Sequence, residues 1–281
     1  MSSIVHPQKV ISFPRTSAAP RPRKIGTSIL LFLMLLTGCR GELKQTGGAW
    51  EVIVVTDNDS IAQVAKDSLG MADTLLPQPE PMLDVKIEKQ SNPLTRRHRN
   101  MVDLTGVTSP DWTKIRSQII NKERERTRQY LAKHHNKDAG KVVKETFGID
   151  ILVPEEMTKM KRGENFIWLS SGTATGMTNL CIYLLPNDEE IDEQTFKEKR
   201  DSVMKCNMPG EKDGMYMTTG SAHRTEGMYR GLWEMKDDMM GGPYSATITR
   251  TGQGLLVKEV FVYAPEGKKR NLIRRIEGAL E

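Results

Sequence analysis

Beyond residue 49, apolar and polar positions fall into short blocks whose period switches between two and nearly four. Residues 50–56 are almost continuously apolar after Glu51, with Val52, Ile53, Val54 and Val55 in a row. That pattern predicts a strand buried on both faces. Asp57-Asn58-Asp59-Ser60 is a turn ending in an N-cap. Ile61, Val64, Ala65 and Leu69 then repeat at helical spacing until Gly70 closes the helix. Leu75-Leu76-Pro77-Gln78-Pro79-Glu80-Pro81 is excluded from helix and central strand, because its three prolines fix φ and remove donors. Leu83, Val85 and Ile87 alternate as in an edge strand, and Met101, Val102, Leu104 and Val107 predict another. Asp111 caps a long charged helix with a narrow stripe of Ile115, Ile119, Arg126, Tyr130 and Leu131. Its run Glu123-Arg124-Glu125-Arg126 reads as a solvated face. Val143 and Phe147 continue a second, short helix that ends at Gly148.

The second half reads differently. Strands are predicted over residues 149–153, 166–170, 180–185, 214–218, 229–236, 244–250 and 255–263, with helices over 193–205 and 268–280. Strand runs separated by glycine turns such as Thr251-Gly252-Gln253-Gly254 indicate antiparallel hairpins. The fold class expected is α+β, mainly antiparallel, with helices packed on one face of the sheet and two α/β subdomains as an option. The expected division is a leader at 1–38, a tether at 39–48, and α+β parts at 49–148 and 149–281.

The leader rests on residues 25–36, a twelve-residue apolar run behind Arg21, Arg23 and Lys24. A span across a ~30 Å hydrocarbon layer needs about 20 residues, so this is a secretion signal and not a transmembrane helix. It ends in Leu36-Thr37-Gly38-Cys39, which resembles the lipobox of bacterial lipoproteins. The resemblance implies cleavage before Cys39 and a diacylglyceryl group on its sulfur. The tether behind it has a root-mean-square reach of about 15–18 Å. Only Glu42 is acidic there, beside Arg40 and Lys44. This favours the periplasmic face of the outer membrane over the cell surface.

Removing the leader changes the charge. The full chain carries 41 Lys+Arg against 36 Asp+Glu, and five of those bases and no acids lie in residues 1–38. The mature chain is formally neutral, which removes the argument for nucleic acid as a partner. Cys181 and Cys206 remain, as free thiols or as a bridge that an oxidising compartment permits.

Candidate chemistry is sparse. Asp57 and Asp59 after a hydrophobic strand loosely resemble the nucleophile loop of metal-dependent aspartyl phosphatases, with an N-capped turn as the competing reading. Half of the 16 methionines crowd residues 204–240, where core filling competes with Cu(I) binding. Met240-Gly241-Gly242-Pro243-Tyr244 predicts a tight hairpin or bulge. In its functional version Trp233, Asp238, Gly241, Gly242 and Tyr244 border a groove for a partner or ligand. Arg99-Asn100 and the proline run form a second candidate surface. The histidines are too scattered for a metal site, and no cofactor is implied.

Taken in order behind the lipobox, several runs resemble a family of uncharacterised lipoproteins from the phylum Bacteroidota. They are Leu76-Pro77-Gln78-Pro79-Glu80-Pro81, His98-Arg99-Asn100, Phe147-Gly148 with Pro154, Phe166-Ile167-Trp168, Arg230-Gly231-Leu232-Trp233-Glu234, Met240-Gly241-Gly242-Pro243-Tyr244 and Tyr263-Ala264-Pro265. The resemblance implies a lipid-anchored envelope protein and carries no catalytic assignment. The expectation is therefore a non-enzymatic binding or accessory module, anchored to the membrane through Cys39 and engaging a protein partner. The alternative is an envelope hydrolase using Asp57 and Asp59. Cys39→Ser is expected to release the protein from membranes, which fractionation of cells expressing the variant measures.

Overall fold

The computed structural model describes residues 11–12, 45–173, 176–186 and 191–281. Apart from Ile11 and Ser12, the leader and Cys39 lie outside the described residues. In chain order the first elements are β1 (Ile11–Ser12), β2 (Glu51–Val55), α1 (Asp59–Leu69), β3 (Ala72–Asp73), β4 (Glu80–Pro81), β5 (Asp84–Glu88), a 3-10 turn (Thr95–Arg97), β6 (Met101–Asp103) and α2 (Trp112–Lys133). The apolar run of β2 is the centre of a parallel sheet ordered β5-β2-β6. Trp50, Val52 and Val54 face one way and pack with Ile61, Ala65 and Leu69 of α1 and Ile119 of α2. Asn58 caps α1, its side chain accepting from Ser60 and Ile61 N–H, and Asp111 caps α2. The helix start predicted at Asp59 or Ser60 thus moves back one position, because the asparagine reaches both orphan amides.

The remaining elements are α3 (Lys137–Phe147), β7 (Lys159–Gly163), β8 (Phe166–Ser170), β9 (Met177–Leu185), α4 (Glu193–Asn207), β10 (Met217–Thr225), β11 (Met228–Met235), β12 (Gly241–Thr251), β13 (Gly254–Tyr263) and α5 (Arg270–Ile276), then a 3-10 turn (Glu277–Ala279). The strands form one sheet, β1-β7-β8-β9-β13-β12-β11-β10, antiparallel throughout. The fold is α+β with a mainly antiparallel sheet. The helices lie on both faces of it, not on one. Alternation along β13 sends Leu256, Val260 and Val262 to a core shared with α3 and α5, and Leu255, Val257 and Phe261 to a core with Ile191 and with Phe196 and Met204 of α4.

Two strand expectations change. Residues 149–153 make no ladder: the segment runs extended into Pro154, which meets His135 in an isolated bridge, while Val153 is buried under α3. Conversely, Lys159–Gly163 is a strand, next to the short β1 at one end of the sheet, with only Met160 buried in the core. Cys181 is buried and Cys206 exposed, both free. Burial pushes the Cys181 thiol well up, and Glu259 adds to this. Within the α4-side core, Arg200 and Glu259 are both fully buried and paired at 2.7 Å, with Tyr183 Oη donating to Glu259 at 2.9 Å.

The proline run turns inward. Leu76 is buried, and the Glu80 carboxylate accepts from Lys269 N–H at 2.6 Å at the start of α5. Along α5, Arg270 pairs with Asp84, Arg274 with Asp73, and Glu277 with Arg274 and Arg230. Burial alone would push the Glu277 carboxyl up, but Arg274, Arg230 and the Ser245 hydroxyl overrule it and bring it down to about 2. A depressed carboxylate contributes stability above its ordinary value of 4.5, and that contribution is lost as pH falls through about 2. Glu277→Ala is expected to cost about 3–5 kcal/mol in urea unfolding at neutral pH. Wild type should lose stability more steeply than the variant between pH 4.5 and 2.

Candidate functional site

Where the chain joins the fold, residues 46–50 pass beside residues 94–100. Asn92 holds the turn there, its Oδ1 accepting from Leu94 and Thr95 N–H. Thr46 N–H donates to Arg97 O at 3.0 Å, and Arg99 N–H donates to Thr46 O at 2.9 Å. Gly47 has φ +91°, and a Cβ there would meet the His98 ring at 2.0 Å, so only glycine can cross at this point. His98 Nε2 lies 2.8 Å from Glu51 Oε1. Partial burial pushes the Glu51 carboxyl up, yet hydrogen bonds from Lys86 and His98 outweigh this and hold it below the usual range.

The organising group is Glu123 of α2, 1% exposed. Its carboxylate accepts from Arg99 Nε (3.0 Å) and Nη2 (2.9 Å), Asn100 Nδ2 (2.9 Å), Trp50 N–H (3.3 Å) and Arg126 Nη1. Arg126 also donates to Asn100 Oδ1 and to Arg99 O. Trp50 adopts φ +62°, a left-handed conformation costing about 1–3 kcal/mol for a residue with a side chain. The Glu123 carboxylate that accepts its N–H is one of the contacts holding it there.

These groups wall a cleft of about 470 Å³ that reaches from α2 to α5. Arg99 and Arg126 set two guanidiniums against the one carboxylate of Glu123, Arg275 adds a third from α5, and Trp50, Tyr130 and Leu272 supply apolar surface. The Arg99 and Arg126 side chains are 23% and 26% exposed, so each guanidinium is fixed on one side and open on the other. Arg275, paired to Glu156 at 2.8 Å and half-exposed, forms the α5 rim. The arrangement suits an anionic group carried on an apolar body.

The residues expected from sequence separate. Arg99 lines the cleft and Asn100 braces it from within. Trp233 and Tyr244 do not border a groove: they are 2% and 1% exposed, with Trp233 Nε1 donating to Val262 O and Tyr244 Oη to Ser221 O. Gly241 and Gly242 lie inside β12, where a Cβ on Gly242 would stand 2.0 Å from Val262 O, so close packing explains them. Asp238 is exposed in the turn before β12 and borders a separate polar cleft with Asp201 and Asp237. Asp57 and Asp59 are both exposed on the turn that Asn58 caps, and Asp59 lies 3.9 Å from Lys89. Among the described residues no group of three or more His, Cys, Asp or Glu is placed to hold a metal ion, and no helix is long and apolar enough to cross a membrane. Met204, Met208 and Met217 fill the α4-side core, whereas Met239 is fully exposed.

Glu123, Arg126 and Arg275 were missed as site residues. Glu123 is hidden in a run that reads as a solvated face. Its only signal is position: it falls four residues after Ile119, on the stripe that carries Arg126 and Tyr130.

Residues 136–281 match the family defined by a domain of unknown function, DUF4837. The match takes in the α5 wall of the cleft and not the α2 wall. No curated protein and no solved structure matches the chain. Glu123→Ala strands two guanidiniums and frees a strained backbone. The expected loss is about 3–5 kcal/mol in chemical denaturation, and an unchanged midpoint would contradict the role given to Glu123.

Proposed function

This chain belongs to the DUF4837 family, a domain of unknown function, and from that premise we propose a lipid-anchored, non-enzymatic binding module of the cell envelope. Its cleft between α2 and α5 takes an anionic envelope component. The observation that carries the reading is the posture of Arg99 and Arg126: one buried carboxylate orients both guanidiniums before any ligand arrives. Pre-organisation lowers the ordering cost of binding. Support for anchoring comes from the lipobox at Cys39, and the scarcity of acids behind it, Glu42 beside Arg40 and Lys44, favours the periplasmic face of the outer membrane.

The test is site-directed photo-crosslinking, with a photoreactive phenylalanine analogue replacing Tyr130 in the lipidated protein within intact cells. Tyr130 is 49% exposed at the cleft wall, so the probe leaves the core untouched. An adduct with one envelope component is expected. Adding Arg275→Glu should reduce it about tenfold, the scale of one charge-assisted contact. An adduct of equal yield in both proteins, or none at all, counts against the cleft.

A further inference from the structure

The cleft lies close in the chain to Cys39. Its wall begins at Ala49 and Trp50, and only residues 39–48 separate it from Cys39. The Thr46 hydroxyl donates to Leu94 O at 3.2 Å, and Leu94 is 63% exposed. Arg96 is exposed beside it, with Nε donating to the Ser91 hydroxyl. The surface where the tether joins the fold therefore combines Arg96, Arg99, Arg126 and Arg275 with exposed Leu94 and Tyr130. Of the acids nearby, Glu123 is committed to Arg99 and Arg126, Glu51 to Lys86 and His98, and Glu156 to Arg275, while Glu155, half-exposed, accepts from the Tyr130 hydroxyl at 3.3 Å and faces His134.

We propose that this face seats on the membrane and that the cleft takes the phosphate-bearing headgroup of an anionic phospholipid. Arg99, Arg126 and Arg275 face the phosphate, and Tyr130 and Leu272 lie against the glycerol and the first acyl carbons. The inference rests on the anchored reading above and names the ligand of the same cleft. Two observations select a lipid over a protein segment. Arg99, Arg126 and Arg275 stand against Glu123 and Glu156, one positive charge in excess, and the six residues between Cys39 and the hydrogen-bonded Thr46, with a reach of about 12–15 Å, keep the cleft within range of the leaflet that holds Cys39. A basic side chain near an anionic leaflet contributes about fivefold to partition. The basic and apolar groups of this face act together, whereas Lys212, exposed in the loop after α4, is remote from it in the chain.

Hydrogen–deuterium exchange of the lipidated protein tests this in phosphatidylcholine vesicles with and without phosphatidylglycerol. Residues 92–100, 123–133 and 270–276 should exchange about fivefold more slowly when phosphatidylglycerol is present. Arg275→Glu should abolish the difference, and Lys212→Glu, an equal change of charge, should preserve it. Equal exchange in the two vesicle types overturns the inference while leaving an anchored protein with a different ligand. Protection by soluble glycerol phosphate alone, with no effect of phosphatidylglycerol vesicles, overturns the membrane source. Protein that fails to join either vesicle has no lipid anchor, and that outcome sinks the anchored reading itself.

Discussion

Helix α5 is pinned by charge from both directions. The large sheet presents Arg230 and Ser245 to Glu277, while the N-terminal layer presents Asp73 to Arg274, Asp84 to Arg270 and Glu80 to the helix start. A buried ion pair gains little over an apolar pair of equal volume, but a half-broken one leaves a bare charge in a dry place. A shift of α5 by one turn would strand several such charges at once. The ladder therefore acts on register more than on net stability, and register sets where Leu272 and Arg275 stand against α2. The α5 wall of the cleft follows from that docking, and Glu123 orders the wall opposite.

The same device recurs in smaller form at Glu123 and at Glu259. In each case one carboxylate with almost no exposure accepts from an arginine distant in sequence, Arg99 at Glu123 and Arg200 at Glu259. The two differ in what is left over. Arg200 is spent entirely inside, against Glu259, Thr219 and the Tyr244 ring, and has no face for a ligand. Arg99 and Arg126 are spent on one side only. That difference in residual exposure distinguishes a core brace from a binding surface, and residue type alone would not reveal it.

Much of the fold was legible. The all-apolar Val52-Ile53-Val54-Val55 run marked a doubly covered strand, and it is the centre of the parallel sheet. Glycine-broken alternation marked the hairpins of the antiparallel sheet. The failures have physical causes. Period-two patterning misses a largely solvated strand such as Lys159–Gly163, where only Met160 must be buried. Composition cannot tell that a second helix layer covers the far face, because both faces of β13 are apolar. At the site, Arg99-Asn100 was visible as an unusual polar pair, while Trp233 and Tyr244 were misread because aromatic residues beside glycines serve close packing as readily as binding. Glu123 was out of reach: its role depends on partners 23 and 24 residues away in Asn100 and Arg99, and 73 away in Trp50.

On the proposed reading the chain without its leader is formally neutral, which bears on how such a cleft would work. A neutral body has no long-range pull toward an anionic surface, and screening limits local charge to about 8–10 Å. Three guanidiniums against the carboxylates of Glu123 and Glu156 then act only at close quarters, and alone they would bind a headgroup weakly. A short tether changes the reference state. It converts encounter into an intramolecular event at an effective concentration of about millimolar, at which a weak site is substantially filled. On the proposed reading, the lipid supplies the affinity and the cleft supplies only orientation. This would explain why the site has apolar walls of modest size, and why its cations are held in posture by a buried acid instead of being massed on the surface.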